Sequence, residues 1–141
     1  MRPIYESDND RIREQKVKAY LEQRWQCVAK KMKMSYGWDF IFYRSGVARA
    51  VVEYKFRKID SINQYGDIFL SLQKVQVGRL FQREGLATVF VVEINDGSLW
   101  QHVLKPGVVY RTGWGGRFDR NDDADMEPVI HINHEDFSKI R

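Results

Sequence analysis

Hydrophobic positions first recur at a helical spacing. Val17, Leu21 and Trp25 stand at i, i+4 and i+8, a single apolar stripe. Residues 7–10 read Ser-Asp-Asn-Asp, an N-cap with acids at the positive end of a helix that runs to about residue 25. Carried backwards, the stripe passes through Glu14 and Asp10. A carboxylate in line with a helix's buried positions needs a partner. The pattern then changes to three strand-like runs, Gln26–Met34, Trp38–Arg44 and Ala48–Arg57, separated by turns at Tyr36-Gly37 and Ser45-Gly46. A polar stretch, residues 58–67, leads to a second helix over Ser71–Glu84, stopped by Gly85. Leu86–Asn95 is almost continuously apolar, as in a strand buried on both faces, and Asp96-Gly97 turns it into Ser98–Leu104. The order α-β-β-β-α-β-β predicts an α/β core with a mixed central sheet flanked by helices. From about residue 105 the chain reads as an irregular extension: Lys105-Pro106-Gly107, a Gly113-Trp114-Gly115-Gly116 loop, an edge strand at Val129–Ile132 and a short terminal helix.

Length bounds this picture to one domain over residues 1–141, with a core at about 8–104 and the extension at about 105–141. Eight Phe, seven Tyr and four Trp in a chain that is 43% hydrophobic supply a real core and exclude a disordered tail. A single cysteine, Cys27, excludes an internal disulfide framework and a Cys-based zinc site, and its apolar neighbours assign it to the core. No apolar run is long enough to span a bilayer and the N-terminal residues lack a signal peptide's apolar centre, so the expectation is a soluble cytoplasmic protein. The net charge of +4 is uneven: residues 1–118 carry 20 Lys/Arg against 12 Asp/Glu, and residues 119–141 carry 3 against 7. A basic body with an acidic tail suits a polyanion partner without identifying one.

The third predicted strand carries candidate chemistry. Glu53 and Lys55 are two apart, so a strand aims both at one face, with Val52, Tyr54 and Phe56 on the other. Asp39 stands at the start of the neighbouring strand, fourteen residues earlier across a tight turn, and can lie beside Glu53. Two carboxylates and a lysine at one end of a sheet are expensive to bury unless a cation joins them. Carboxylate oxygens and water suit Mg²⁺, which also takes substrate phosphate oxygens, and the Lys55 ammonium then serves the attacking water. The bare Glu-x-Lys pattern is weak: it occurs again at Glu14-Gln15-Lys16, on a helix where the two side chains cannot share a face.

In context it is stronger. A helix with an inward Glu, a hairpin with Asp on its second strand, Glu-x-Lys on the third, and a helix with Gln and Lys before a buried strand together resemble the PD-(D/E)xK nuclease superfamily. The resemblance rests on Tyr36-Gly37-Trp38-Asp39-Phe40, Val52-Glu53-Tyr54-Lys55-Phe56-Arg57 and Ser71-Leu72-Gln73-Lys74 ahead of Gly85. It is closest to small Holliday-junction-resolvase-like and phage-encoded nuclease domains. It implies a restriction-endonuclease-like αβββαβ fold and Mg²⁺-dependent hydrolysis of DNA, branched or structured, leaving a 5′-phosphate and a 3′-hydroxyl, with Mn²⁺ able to substitute. Asp39, Glu53 and Glu14 are implied as metal-binding carboxylates, Lys55 as the residue serving the water, and Gln73 and Lys74 as helpers from the second helix. Trp38 stands where the motif's proline would be. Junction-cutting relatives act as two-fold dimers, so a homodimer is implied, as is a phage origin with action in the host bacterial cytoplasm. The alternative is a protein of the same fold that has lost turnover and binds nucleic acid or a protein partner.

Arg57, Lys58 and Arg79 flank these elements and are candidates for phosphate-backbone contact. Lys30, Lys31 and Lys33 read as edge charge that discourages strand association. Asp119–Asp125 is superficially like a calcium loop, but Ala124 replaces its required glycine and Ile130 its terminal glutamate. The stretch Asp125–Ile132 resembles the tail of phage nuclease-like proteins; such an acidic segment either covers a basic cleft or packs on the sheet edge. His131 and His134 lack the spacing of zinc hydrolases and read as structural, and Trp114 is either a packed loop residue or a stacking platform for an unpaired base. No phosphate-binding loop, dinucleotide fingerprint or nucleophile elbow is present, so no nucleotide cofactor is expected.

Overall fold

The first apolar stripe does form a helix. In the computed structural model, which describes residues 8–116 and 126–141, α1 (Asp8–Trp25) buries Val17, Leu21 and, on the same face, Glu14. The next three strands form an antiparallel meander: β1 (Val28–Lys31), β2 (Phe40–Arg44) and β3 (Val47–Phe56). Gly37 and Gly46 take the positive φ values, 80° and 77°, that their turns require. The predicted first and second strands are shortened because residues 34–36 coil into a 3₁₀ turn and Trp38 leaves the sheet for the core.

α2 (Leu72–Arg83) then carries the chain across so that β5 (Ala87–Glu93) pairs parallel to β3, with Glu53 opposite Phe90. β6 (Leu99–Val103) returns antiparallel after the Asp96-Gly97 turn. The sheet order is β1-β2-β3-β5-β6-β9, where β9 is the two-residue strand Ser138–Lys139. α1 covers one face through Val17 and Leu21 against Phe40, Phe42, Val52, Val89 and Val91. α2 covers the other, where Val75 packs with Trp38, Val51, Phe90 and Val92. This is the mixed α/β architecture of the restriction-endonuclease-like fold.

Five expectations are corrected. The polar stretch ends in a strand, β4 (Asp67–Ser71), whose Ile68 and Leu70 point into the core. The extension is not irregular: β7 (Arg111–Gly116) and β8 (Met126–Asn133) join β4 in a second sheet of order β4-β8-β7. Residues 129–132 therefore lie in its central strand, not at an edge, and the terminal helix is a 3₁₀ turn at residues 134–136 before β9. The glycines that suggest a loop serve packing instead. A Cβ on Gly113 would collide with the His131 ring, and one on Gly115 would sit 3.1 Å from the Phe69 ring. Trp114 is thus a strand residue, and it is largely exposed. The calcium-like residues 119–125 and Ser7 of the helix cap lie outside the described residues. Among the described residues no helix is long and apolar enough to cross a membrane.

Candidate active site

Asp39 and Glu53 meet because Asp39 stands immediately before β2, whose Phe40 is in register with Val52. Asp39 N–H donates to the Val52 carbonyl at 3.1 Å, and the Asp39 side chain turns back along β3, where Oδ2 accepts from Tyr54 N–H at 2.8 Å. The carboxylate substitutes for the ladder partner that Trp38 would supply had it stayed in the strand. Glu53 follows from strand alternation: Val52 and Tyr54 face α1, so Val51, Glu53 and Lys55 face α2. Glu53 is completely buried.

Two ammonium groups attend it. Lys55 Nζ lies 3.5 Å from Glu53 Oε2 and is partly open to solvent. Lys74 Nζ, from the first turn of α2, lies 3.3 Å from Oε1 and 3.2 Å from Oε2, and donates a short hydrogen bond to the Gly37 carbonyl. Lys74 is therefore clamped on the protein side of Glu53, whereas Lys55 closes the solvent side. Trp38 anchors this arrangement, donating from Nε1 to the Lys74 carbonyl at 2.9 Å. The residue that replaces the motif's proline thus ties the start of β2 to the helix that delivers Lys74.

Electrostatics set Glu53 apart. Burial, and secondly the negative charge of Asp39, push its pKa up to about 7 against the pull of Lys55 and Lys74. Its Oε2 atom is buried, paired by charge but engaged in no hydrogen bond. A neutral pH thus finds this carboxyl divided between its two protonation states.

Glu14 reaches the site through an intermediary. Lys31, in β1, places Nζ 2.5 Å from Glu14 Oε1 and 3.2 Å from Asp39 Oδ1. Burial alone would depress the Lys31 pKa, but the two carboxylates outweigh it and the net shift is upward. This corrects the reading of Lys31 as edge charge. A lysine on an edge strand looks like protection against aggregation until the first helix brings a carboxylate opposite it, and no local pattern reveals that.

The remaining candidates divide. Gln73 is exposed on α2, on a different side from Lys74. Lys58 is exposed just beyond β3, and Arg57 donates from Nη2 to the Phe69 carbonyl at 3.1 Å. Arg79 turns away towards the loop after β6, donating to the carbonyls of Lys105 at 2.6 Å and Val108 at 2.7 Å and lying over the Tyr110 ring. A cavity of about 290 Å³ under that loop, lined by His102, Tyr110, Arg111 and His131 among others, contains none of the site residues. Its His102–Tyr110 pair is satisfied internally: Tyr110 Oη accepts from Lys105 N–H at 2.9 Å, so it donates to His102 Nε2 at 2.7 Å, leaving Nδ1–H for the Asp136 carbonyl.

The donor set fits a hard divalent cation. Asp39 and Glu53 offer carboxylate oxygens, and Glu53 Oε2 is a buried acceptor without a hydrogen-bond donor. Among the described residues no group of three or more His, Cys, Asp and Glu side chains forms a metal cage. The arrangement is thus one of two carboxylates, which suits Mg²⁺ because that ion keeps waters and shares substrate phosphate oxygens.

No curated protein matches the chain. A family model described as "Phage putative PDDEXK endonuclease" matches residues 1–140. With Asp39, Glu53 and Lys55 gathered at one end of the mixed sheet and the match spanning nearly every residue, this chain belongs to that phage family of the PD-(D/E)xK nuclease superfamily.

Proposed function

We propose that the protein is a Mg²⁺-dependent endodeoxyribonuclease acting on branched or structured DNA, with Mn²⁺ able to replace Mg²⁺, and that it works in the bacterial cytoplasm of a phage's host. The observation that carries this reading is Glu53. A fully buried carboxylate with its pKa raised to about 7, beside a second carboxylate and under two lysines, is costly for a structural residue and apt for a cation ligand. Asp39 and Glu53 hold the cation. When bound, it offsets the charge that develops on the scissile phosphate and makes a coordinated water more acidic. Lys55, on the open side of Glu53, orients the water that attacks phosphorus, and Lys74 keeps Glu53 aimed while compensating its charge. Arg57 and Lys58 directly follow the strand that carries Glu53 and Lys55, and on this reading they contact the phosphate backbone near the cut. Symmetric cutting of a junction calls for a homodimer, and elution as a monomer at micromolar concentration would remove that part of the reading.

The test is a cleavage assay with Mg²⁺ or Mn²⁺ on four-way junction, flap, linear duplex and single-stranded DNA, comparing wild type with Asp39→Asn, Glu53→Gln and Lys55→Ala. Metal-dependent cutting of the branched substrates that drops at least 100-fold in each variant is the expected result. Binding without cutting in every protein would leave a nucleic-acid-binding member of the fold and end the enzymatic reading.

A further inference from the structure

Asp39 has one carboxylate oxygen left after serving the backbone, and a lysine holds it. Oδ2 accepts from Tyr54 N–H, and Oδ1 accepts from Lys31 Nζ at 3.2 Å. The same ammonium is held more closely by Glu14, at 2.5 Å. Lys31 sits on β1, the outermost strand of its sheet, and its side chain is 40% exposed, so the ammonium has room to leave Asp39. Glu14, by contrast, is buried and fixed on α1.

We propose that Lys31 is a built-in competitor for the divalent cation: its ammonium neutralises Asp39 while the site is metal-free, and cation binding at Asp39 proceeds by displacing it towards Glu14. This rests on reading Asp39 and Glu53 as the cation's ligands. On this view Glu14 is a positioning residue that receives Lys31, not a ligand. The device solves a physical problem, since carboxylates on adjacent strands repel each other, and Lys31 relieves that repulsion until a stronger cation arrives. The cost is a lower apparent metal affinity, because the ion must first take Asp39 from a charge already paired with it.

The experiment is calorimetric titration of the full chain with MnCl₂ alone, without DNA, with Mn²⁺-dependent thermal stabilisation as a second readout. Lys31→Met keeps most of the length of the side chain and removes the charge; Lys31→Gln also removes the charge and ends in a polar group, should the first variant fold poorly. Both should bind Mn²⁺ on the order of fivefold more tightly than wild type, the scale expected for a half-exposed ion pair. Lys31→Arg, which keeps the charge, should stay near wild type. Lys30→Met, which removes equal charge from a neighbour lying over the Tyr43 ring, should also stay near wild type. Unchanged or weaker binding in Lys31→Met, or equal tightening in Lys30→Met, overturns the proposal. If wild type binds Mn²⁺ and Asp39→Asn does not, such a result overturns the competitor role alone. Absence of Mn²⁺ binding in wild type and every variant overturns the metal reading together with it.

Discussion

Lys74 and Glu53 face each other across the interface between α2 and the central sheet, with the ammonium 3.2–3.3 Å from both carboxylate oxygens. Their approach depends on how low the helix rides. One turn after Lys74, Gly78 is buried where a Cβ would lie 2.9 Å from both Thr88 Cγ2 and Trp38 Cζ2. The missing side chain lets α2 settle onto β5 and onto the indole that also binds the Lys74 carbonyl. Thus a glycine inside a helix, unfavourable in isolation, positions a charged group in the candidate active site.

Gly78→Ala tests this dependence. Its Cβ gains about 1 kcal/mol of helix propensity but meets two rigid, buried groups, and overpacking of this kind costs roughly 1–3 kcal/mol. A fall in Tm of a few degrees is expected, and cleavage should fall further than Tm alone explains because Lys74 is lifted from Glu53. Thermal melts and cleavage rates at a temperature where both proteins are folded check it; unchanged cleavage would show that helix height does not matter to the site.

The raised pKa of Glu53 has a consequence for metal-free stability. Its folded value is about 7 against an unfolded 4.5, so the folded state holds the proton more tightly. Relative to a non-titrating residue, Glu53 favours folding below about pH 4.5, and that advantage is lost as pH rises through 7, amounting to about 3 kcal/mol at most. His102, whose pKa is depressed by burial, acts with the opposite sign, so the informative quantity is a difference. Glu53→Gln should therefore gain stability relative to wild type as pH goes from 5 to 8 in EDTA, measured by denaturant midpoints. A constant difference across that range contradicts the assigned pKa.

The same proton should oppose the cation. With Glu53 as the proposed ligand, metal binding requires its ionised form, so Mn²⁺ affinity should rise between pH 6 and 8 and level off above it, with proton release near pH 7. Calorimetry in two buffers of different ionisation enthalpy measures that proton directly. Pure Coulombic binding with no proton released would place the linkage elsewhere.

Arg79 and Lys58 should separate structural from substrate-binding charge. Arg79 holds the loop 105–110 by two carbonyl hydrogen bonds, and its replacement by alanine should cost about 1–2 kcal/mol of stability while leaving the salt dependence of DNA binding alone. Lys58→Ala should leave stability within about 0.5 kcal/mol and reduce the slope of log affinity against log salt by roughly one phosphate contact. Fluorescence anisotropy at several salt concentrations decides; the reverse pattern would exchange their roles.

Much of the fold was legible from period alone. The α1 stripe, the Glu53/Lys55 alternation and the turns at Gly37, Gly46 and Gly97 are local rules, written within a few residues of each other, and the structure follows them. Asp39, Glu53 and Lys55 could be named because strand alternation and a neighbouring turn bring them together without knowledge of distant contacts, whereas Lys74, on α2, was named with Gln73 only through the family resemblance. The second sheet could not be read in this way. β4 is five residues long and β7 is half glycine, and both become strands only because β8, some 60 residues beyond β4, pairs between them and lays His131 and Phe69 over the glycines. Lys31 is the same lesson at the site: it sits in a run with Lys30 and Lys33, and its meaning comes from Glu14 on a helix packed across the sheet. Local chemistry determined which groups this protein offers; long-range pairing decided which of them meet, because a charge is defined by its partner and a partner can stand anywhere in the chain.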